Sequence, residues 1–184
     1  EAHREEAPMK TVIVLRHAER QDRSDNNSHL SQAGVVQARG MGERFTQFDM
    51  VVTSPLPRAF ETPIAMGFAV DMTNPGIQEH SEEIMRDVQW DAGYAAWATA
   101  YRTRASVIAY VDHVTSLLKI WLSKVPDDDG ALLVVAHGGI VEAMATGLSP
   151  DDDLARLGEM AGYAEGFEAV GDDRGGYRLK ALRR

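Results

Sequence analysis

Short apolar runs alternate along the chain with longer stretches whose apolar positions recur every three or four residues. Thr11-Val12-Ile13-Val14-Leu15 is apolar and β-branched without alternation, which predicts a strand buried on both faces. Met50-Val51-Val52-Thr53 and Leu132-Leu133-Val134-Val135-Ala136 have the same character. Between them, Ser31 suits the N-cap of a helix with apolar positions Ala38, Met41, Phe45 and Phe48. Val107, Val111, Val114, Leu118 and Trp121 predict a longer helix that ends at Lys124 before Pro126. Asp127-Asp128-Asp129-Gly130 reads as the turn into the third strand, and Ile140 to Thr146 as a helix after it. Strand, helix, strand, helix, strand is the order of an α/β domain with a largely parallel sheet. No internal repeat or low-complexity linker interrupts it, and the acidic runs Asp127–Asp129 and Asp151–Asp153 read as solvated turns. Residues 1–8 are charged and lack the apolar centre of a secretory signal. They are expected to form a tail, with residues 9–184 as a single domain.

Ligands of such sheets bind beyond the carboxyl ends of the strands. Arg16 and His17 follow the first strand, Ser54-Pro55-Leu56-Pro57 and then Arg58 follow the second, and His137-Gly138-Gly139 follow the third. The strand ends thus converge arginines and histidines on one place, where helix N-termini would also favour an anion. Guanidinium groups offer the planar, bidentate donors that suit non-bridging phosphate oxygens. A neutral imidazole beside them could attack phosphorus in line, and the fixed charges would stabilise the transition state. A carboxylic acid would still be needed to protonate the leaving oxygen.

These residues carry a resemblance. Leu15-Arg16-His17-Ala18-Glu19 resembles the RHG/RHA signature of the histidine phosphatase superfamily, the phosphoglycerate-mutase-like family. Leu30-Ser31-Gln32-Ala33-Gly34 with Gln37-Ala38, Thr53 to Thr62, and Val134 to Gly139 resemble its further blocks. All occur in family order, across residues 11–147. The resemblance implies a three-layer sandwich, a largely parallel central sheet flanked by helices. It implies His17 as a nucleophile that forms a phosphohistidine, with Arg16, Arg58 and His137 holding the phosphate. The family's acid usually lies in a short segment after the second strand–helix unit. Glu79, in Pro75-Gly76-Ile77-Gln78-Glu79, fits that place, with Glu82 and Glu83 as rivals because the following family pattern is absent. Arg23 stands where mutases commonly carry asparagine, while Arg20 and Asp22 resemble the phosphatase branch, so Arg20 is a further phosphate-contact candidate. The expected activity is hydrolysis of a phosphomonoester, on a small molecule or a phosphoprotein. A phosphoglycerate-type mutase and a phosphate-binding scaffold without turnover are the alternatives.

Other readings set the limits. Arg58 could instead be a salt-bridge partner at a helix start. His3, His29, His80 and His113 read as surface or satisfied core residues, with the reservation that His80 adjoins Glu79. Trp90, Tyr94, Trp97 and Tyr101 recur at helical spacing and read as a core face. Were they to overhang the site, they would select an apolar or aromatic leaving group. Gly34 to Gly42 lacks the Lys-Ser/Thr ending of a P-loop, and no metal-ligand spacing appears, so neither nucleotide, metal nor cofactor is expected.

Composition narrows the classes further. The 184 residues are 44% hydrophobic, which excludes a mainly disordered chain. With 19 Lys+Arg against 28 Asp+Glu the net charge is −9, which disfavours nucleic acid or anionic lipid as partner. No apolar run approaches the ~18 residues of a membrane helix, and a cytoplasmic location is the default expectation. The absence of cysteine excludes disulfides, thiolate metal sites and a thiol nucleophile. Oligomeric state is left open.

Overall fold

Each apolar run becomes a strand because it is covered on both faces. In the computed structural model the described residues are 9–126 and 128–184; the expected tail with His3, and Asp127 of the acidic turn, lie outside them. The elements run β1 (Thr11–Arg16), α1 (Gln32–Gly42), β2 (Met50–Thr53), α2 (Pro57–Met66), β3 (Met72–Thr73) and α3 (Glu82–Asp87). Then follow α4 (Tyr94–Thr103), α5 (Ala105–Lys124), β4 (Ala131–Ala136), α6 (Ile140–Leu148), β5 (Gly166–Gly171) and β6 (Tyr177–Leu182). The strands form one six-stranded sheet in the order β3-β2-β4-β1-β5-β6. β1, β2, β3 and β4 are mutually parallel, and β5 and β6 extend the sheet antiparallel.

Successive strand residues point to opposite faces and so divide the core in two. Val12, Val14, Val52, Leu132 and Val134 pack with residues of α3, α4, α5 and α6. Ile13, Leu15, Val51, Leu133 and Val135 pack with residues of α1 and α2. The result is the expected three-layer α/β sandwich. α5 matches its sequence pattern, burying Val107, Val111, Val114, Leu118 and Trp121.

α1 departs from its pattern. Ser31 does cap it, accepting from the Gly34 amide at 3.0 Å, but the helix ends at Gly42, before Phe45 and Phe48. A Cβ on Gly42 would lie 2.2 Å from the Met66 carbonyl oxygen, so α1 meets α2 backbone to backbone there. The chain then turns back toward β2, and Phe48 packs tilted against Phe45 and edge-on against Phe68, at ring separations of 5.3 and 4.8 Å. The aromatic series also divides. Trp90 precedes α4 and is 37% exposed, whereas Tyr94 and Trp97 are wholly buried. Among the described residues no helix is long and apolar enough to cross a membrane.

Candidate active site

β1 and β4 are parallel neighbours whose following helices leave on opposite faces of the sheet. Chain that parts in this way opens a crevice at the strands' carboxyl ends. Register then brings the residues together. Arg16 pairs with Ala136, so His17 and His137 come next on adjacent strands, their rings 5.2 Å apart. Thr53 pairs with Val135 on the other side of β4, which places Ser54 beside His137; its hydroxyl lies 2.8 Å from His137 Nε2. Arg58 enters from the first turn of α2, where Pro57 stands at a position that has no helical N–H partner to lose.

Arg16, His17, Arg20, Arg58, Glu79 and His137 line a single cavity of about 330 Å³. Glu82 and Glu83 stand exposed on the first turn of α3 and do not line it. His29 pairs with Glu61 on the surface, and His113 is exposed on α5. His80, by contrast, is half-buried and lines the cavity.

His17 Nδ1 lies 2.7 Å from the Ala18 carbonyl oxygen. A carbonyl only accepts, so Nδ1 carries the proton and Nε2 keeps its lone pair. Arg58 donates from Nε to that lone pair at 3.2 Å. Burial, then the neighbouring His137, pushes the His17 pKa well below its ordinary value. His137 is pushed down to about 3, by burial first and by Arg58 next. Both rings are therefore neutral near pH 7. Arg58 is itself pushed down to about 10 by burial and by Arg20 and Arg16. It remains charged there, and its guanidinium is braced by Asn26, through the carbonyl oxygen at 2.6 Å and Oδ1 at 3.2 Å. No carboxylate pairs with Arg58 among the described residues, so its charge faces the cavity uncompensated.

Arg16 is fixed differently. Its guanidinium sits over the rings of Tyr163 and Trp90, at 4.4 and 5.3 Å from their centroids, and donates to the Ala161 carbonyl at 3.3 Å. Beneath it lies Glu142, fully buried, which accepts from the Gly139 amide at 2.7 Å and the Ala161 amide at 2.9 Å. One carboxylate thus holds both the turn after His137 and the loop that carries Arg16's partner. Arg20 donates to the carbonyls of Arg23 and Asp25, at 2.8 and 3.4 Å. Glu79 is exposed, with its Oε1 accepting weakly from Asn26 at 3.4 Å.

Asn26, Glu142 and Tyr163 escape the sequence reading. Asn26 reaches the site because Arg20 and Leu30 bridge as isolated strand partners and fold the intervening loop over the cavity. The asparagine that meets Arg58 stands at position 26, whereas position 23 holds Arg23. Glu142 had a legible clue: it is the third residue of a helix that starts after Gly139, the place where a carboxylate folds back on the cap amide. Tyr163 lies in a loop with no periodicity to mark it.

Comparison with known proteins supplies context for this geometry. Residues 12–182 match the model of the histidine phosphatase superfamily, branch 1. No curated protein matches the chain. Among solved structures it resembles the phosphoserine phosphatase of Entamoeba histolytica in complex with 3-phosphoglyceric acid. The TM-score is 0.71 at 17% identity, over 96% of this chain and 98% of that one. A mycobacterial glucosyl-3-phosphoglycerate phosphatase complexed with VO3 gives 0.63 at 19% identity, over 94% and 98% of the two chains. The protein histidine phosphatase SixA complexed with tungstate gives 0.58 at 16%, over 94% and 96%. Likeness at these identities establishes the shared fold.

Proposed function

The chain belongs to branch 1 of the histidine phosphatase superfamily, and from that premise we propose that it hydrolyses phosphomonoesters through a phosphohistidine on His17. The observation that carries the reading is the tautomer of His17: Nδ1–H is tied to the Ala18 carbonyl, which leaves the Nε2 lone pair beside Arg58. In the first step Nε2 forms a bond to phosphorus as the ester P–O bond breaks, and Glu79 in its acid form gives its proton to the leaving oxygen. Arg58 exchanges its bond to His17 for one to a phosphate oxygen, and Arg16 and His137 hold the remaining oxygens, with Arg20 as a further contact. The phosphorylated ring becomes cationic, and the Ala18 carbonyl stabilises it through the same Nδ1–H. In the second step water attacks phosphorus, the N–P bond breaks, and the Glu79 carboxylate takes the proton from water. His17 and Glu79 then return to their starting states.

The oxyanions complexed in the similar structures, VO3 and tungstate, support a site built for a tetrahedral or trigonal anion. The exposure of Glu79 at the mouth of the cavity suits an acid that meets the leaving group. The test is phosphate release from p-nitrophenyl phosphate in the presence of EDTA, by the wild type and by His17→Ala. Release without an added phosphorylated primer, unaffected by EDTA and lost in the variant, is the expected result. It also separates hydrolysis from a mutase, which returns the group to its substrate. A folded wild type without turnover on any aryl phosphate would contradict the hydrolytic reading.

A further inference from the structure

We propose that His80 is a positioning residue that fastens the segment carrying Glu79 to the turn Gly138–Gly139, so that protonation of the leaving group depends on it. The inference rests on the reading of Glu79 as the acid. Glu79 cannot hold its own place: it is exposed, and its side chain makes only the weak contact with Asn26 among the described residues. Its position is set by its neighbours in sequence. Ile77 is fully buried on one side, and His80 is half-buried on the other.

His80 Nε2 lies 2.9 Å from the Gly138 carbonyl oxygen, and Nδ1 lies 3.3 Å from the Tyr110 hydroxyl. Because the carbonyl only accepts, Nε2 donates to it, and Nδ1 accepts from the tyrosine O–H. Burial favours the neutral ring that this arrangement requires. The ring packs in one cluster with Trp97 and Tyr110, at centroid separations of 6.0 and 5.6 Å. The turn is shaped to receive it. A Cβ on Gly139 would lie 2.6 Å from His80 Nε2, and a Cβ on Gly138 would lie 2.8 Å from the Trp90 ring. Successive glycines directly after His137 thus admit Trp90 at Gly138 and His80, next to the acid, at Gly139. His80 joins the proton donor to the phosphate turn through one hydrogen bond across the cavity's rim.

A merely structural histidine would lower activity on every substrate alike. A residue that places the acid should matter only where the leaving oxygen needs its proton. The experiment compares kcat/KM for p-nitrophenyl phosphate, a good leaving group, with phenyl phosphate, a poor one. The proteins are the wild type, Glu79→Gln, His80→Ala, His80→Gln and Tyr110→Phe, with vanadate inhibition and thermal melting recorded for each. His80→Ala should lose about tenfold or more on phenyl phosphate and less than about threefold on p-nitrophenyl phosphate, in the range of positioning effects. Its vanadate inhibition should stay within about twofold of wild type, since the phosphate ligands are untouched. His80→Gln, which keeps an N–H for the Gly138 carbonyl, should recover most of the loss. Tyr110→Phe, which removes only a hydroxyl, should show the same selectivity more weakly and serves if His80→Ala fails to fold. Equal losses on both esters, or none, beside a selective loss in Glu79→Gln would overturn the role of His80. Equal losses on both esters in Glu79→Gln itself, or none, would overturn the acid assignment, and the inference with it.

Discussion

At His17 the decisive detail is which nitrogen carries the proton, and a backbone carbonyl decides it. The same burial that keeps the ring neutral has a consequence for stability. The unfolded chain protonates its histidines near pH ~6.5, whereas His17 folded titrates well below that and His137 at about 3. As pH falls, the unfolded state therefore binds protons first. Stability is complete above ~6.5 and is lost progressively below it, across a window that for His137 extends down to about 3. One such group costs up to ~1.4 kcal/mol per pH unit, so each ring removes roughly 2 kcal/mol at most between pH 6.5 and 5. Urea unfolding should accordingly show its midpoint falling from pH 7 to pH 5, and His137→Asn should make that fall shallower. An unchanged slope in the variant would mean that His137 is not buried neutral.

Elements carry the next set of consequences. Ser31→Ala removes the oxygen that accepts from the Gly34 amide at the start of α1 and should cost ~1 kcal/mol, read by urea titration. The aromatic series ahead of and within α4 makes a sharper contrast. Trp97 is wholly buried, so Trp97→Ala should destabilise by ~3–5 kcal/mol, read by urea unfolding. Trp90 lies outside the helix against Arg16, so Trp90→Ala should leave melting nearly unchanged and raise KM for aryl phosphates. Equal effects of the two substitutions on melting and on KM would refute that division. These cases also show why part of the architecture was legible and part was not. Strands buried on both faces and the long α5 announce themselves, because burial on a face writes apolar residues at a fixed period. Spacing alone could not tell that α1 stops at Gly42, since Phe45 and Phe48 keep the helical interval while packing from an irregular segment. Nor could it show that Trp90 precedes α4. β3, of two residues, the antiparallel β5, only partly buried, and the edge strand β6, with exposed positions, carry too weak a pattern to stand out. The strand-end residues Arg16, His17 and His137 were visible because chemistry follows strand ends. Asn26 and Tyr163 were not, because tertiary folding of loops alone brings Asn26 to the cavity and Tyr163 against Arg16 and His17.

For the molecule as a whole, charge is unevenly spent. The chain carries a net −9, yet Arg16, Arg20 and Arg58 face one cavity. Screening limits distant carboxylates to about a 10 Å reach at 0.1 M salt, whereas the cavity's arginines act at contact distance. The local field should therefore dominate, and kcat/KM for a dianionic ester should fall as ionic strength rises from 0.02 to 0.2 M, about. A rise over that range would show that the overall negative charge governs approach instead. The fold supplies the setting for this concentration of charge, since β1 and β4 deliver their ends to one crevice while their helices depart on opposite faces. The central claim is that the phosphoryl group passes through the protein itself, on His17. Rapid quenching of wild-type turnover on a phosphorus-32-labelled aryl phosphate tests this most directly. The account predicts label on the protein that survives alkali, is lost in acid, maps to His17 and is missing from His17→Ala. Turnover with no labelled protein at any quench time, or label on a residue other than His17, would contradict it.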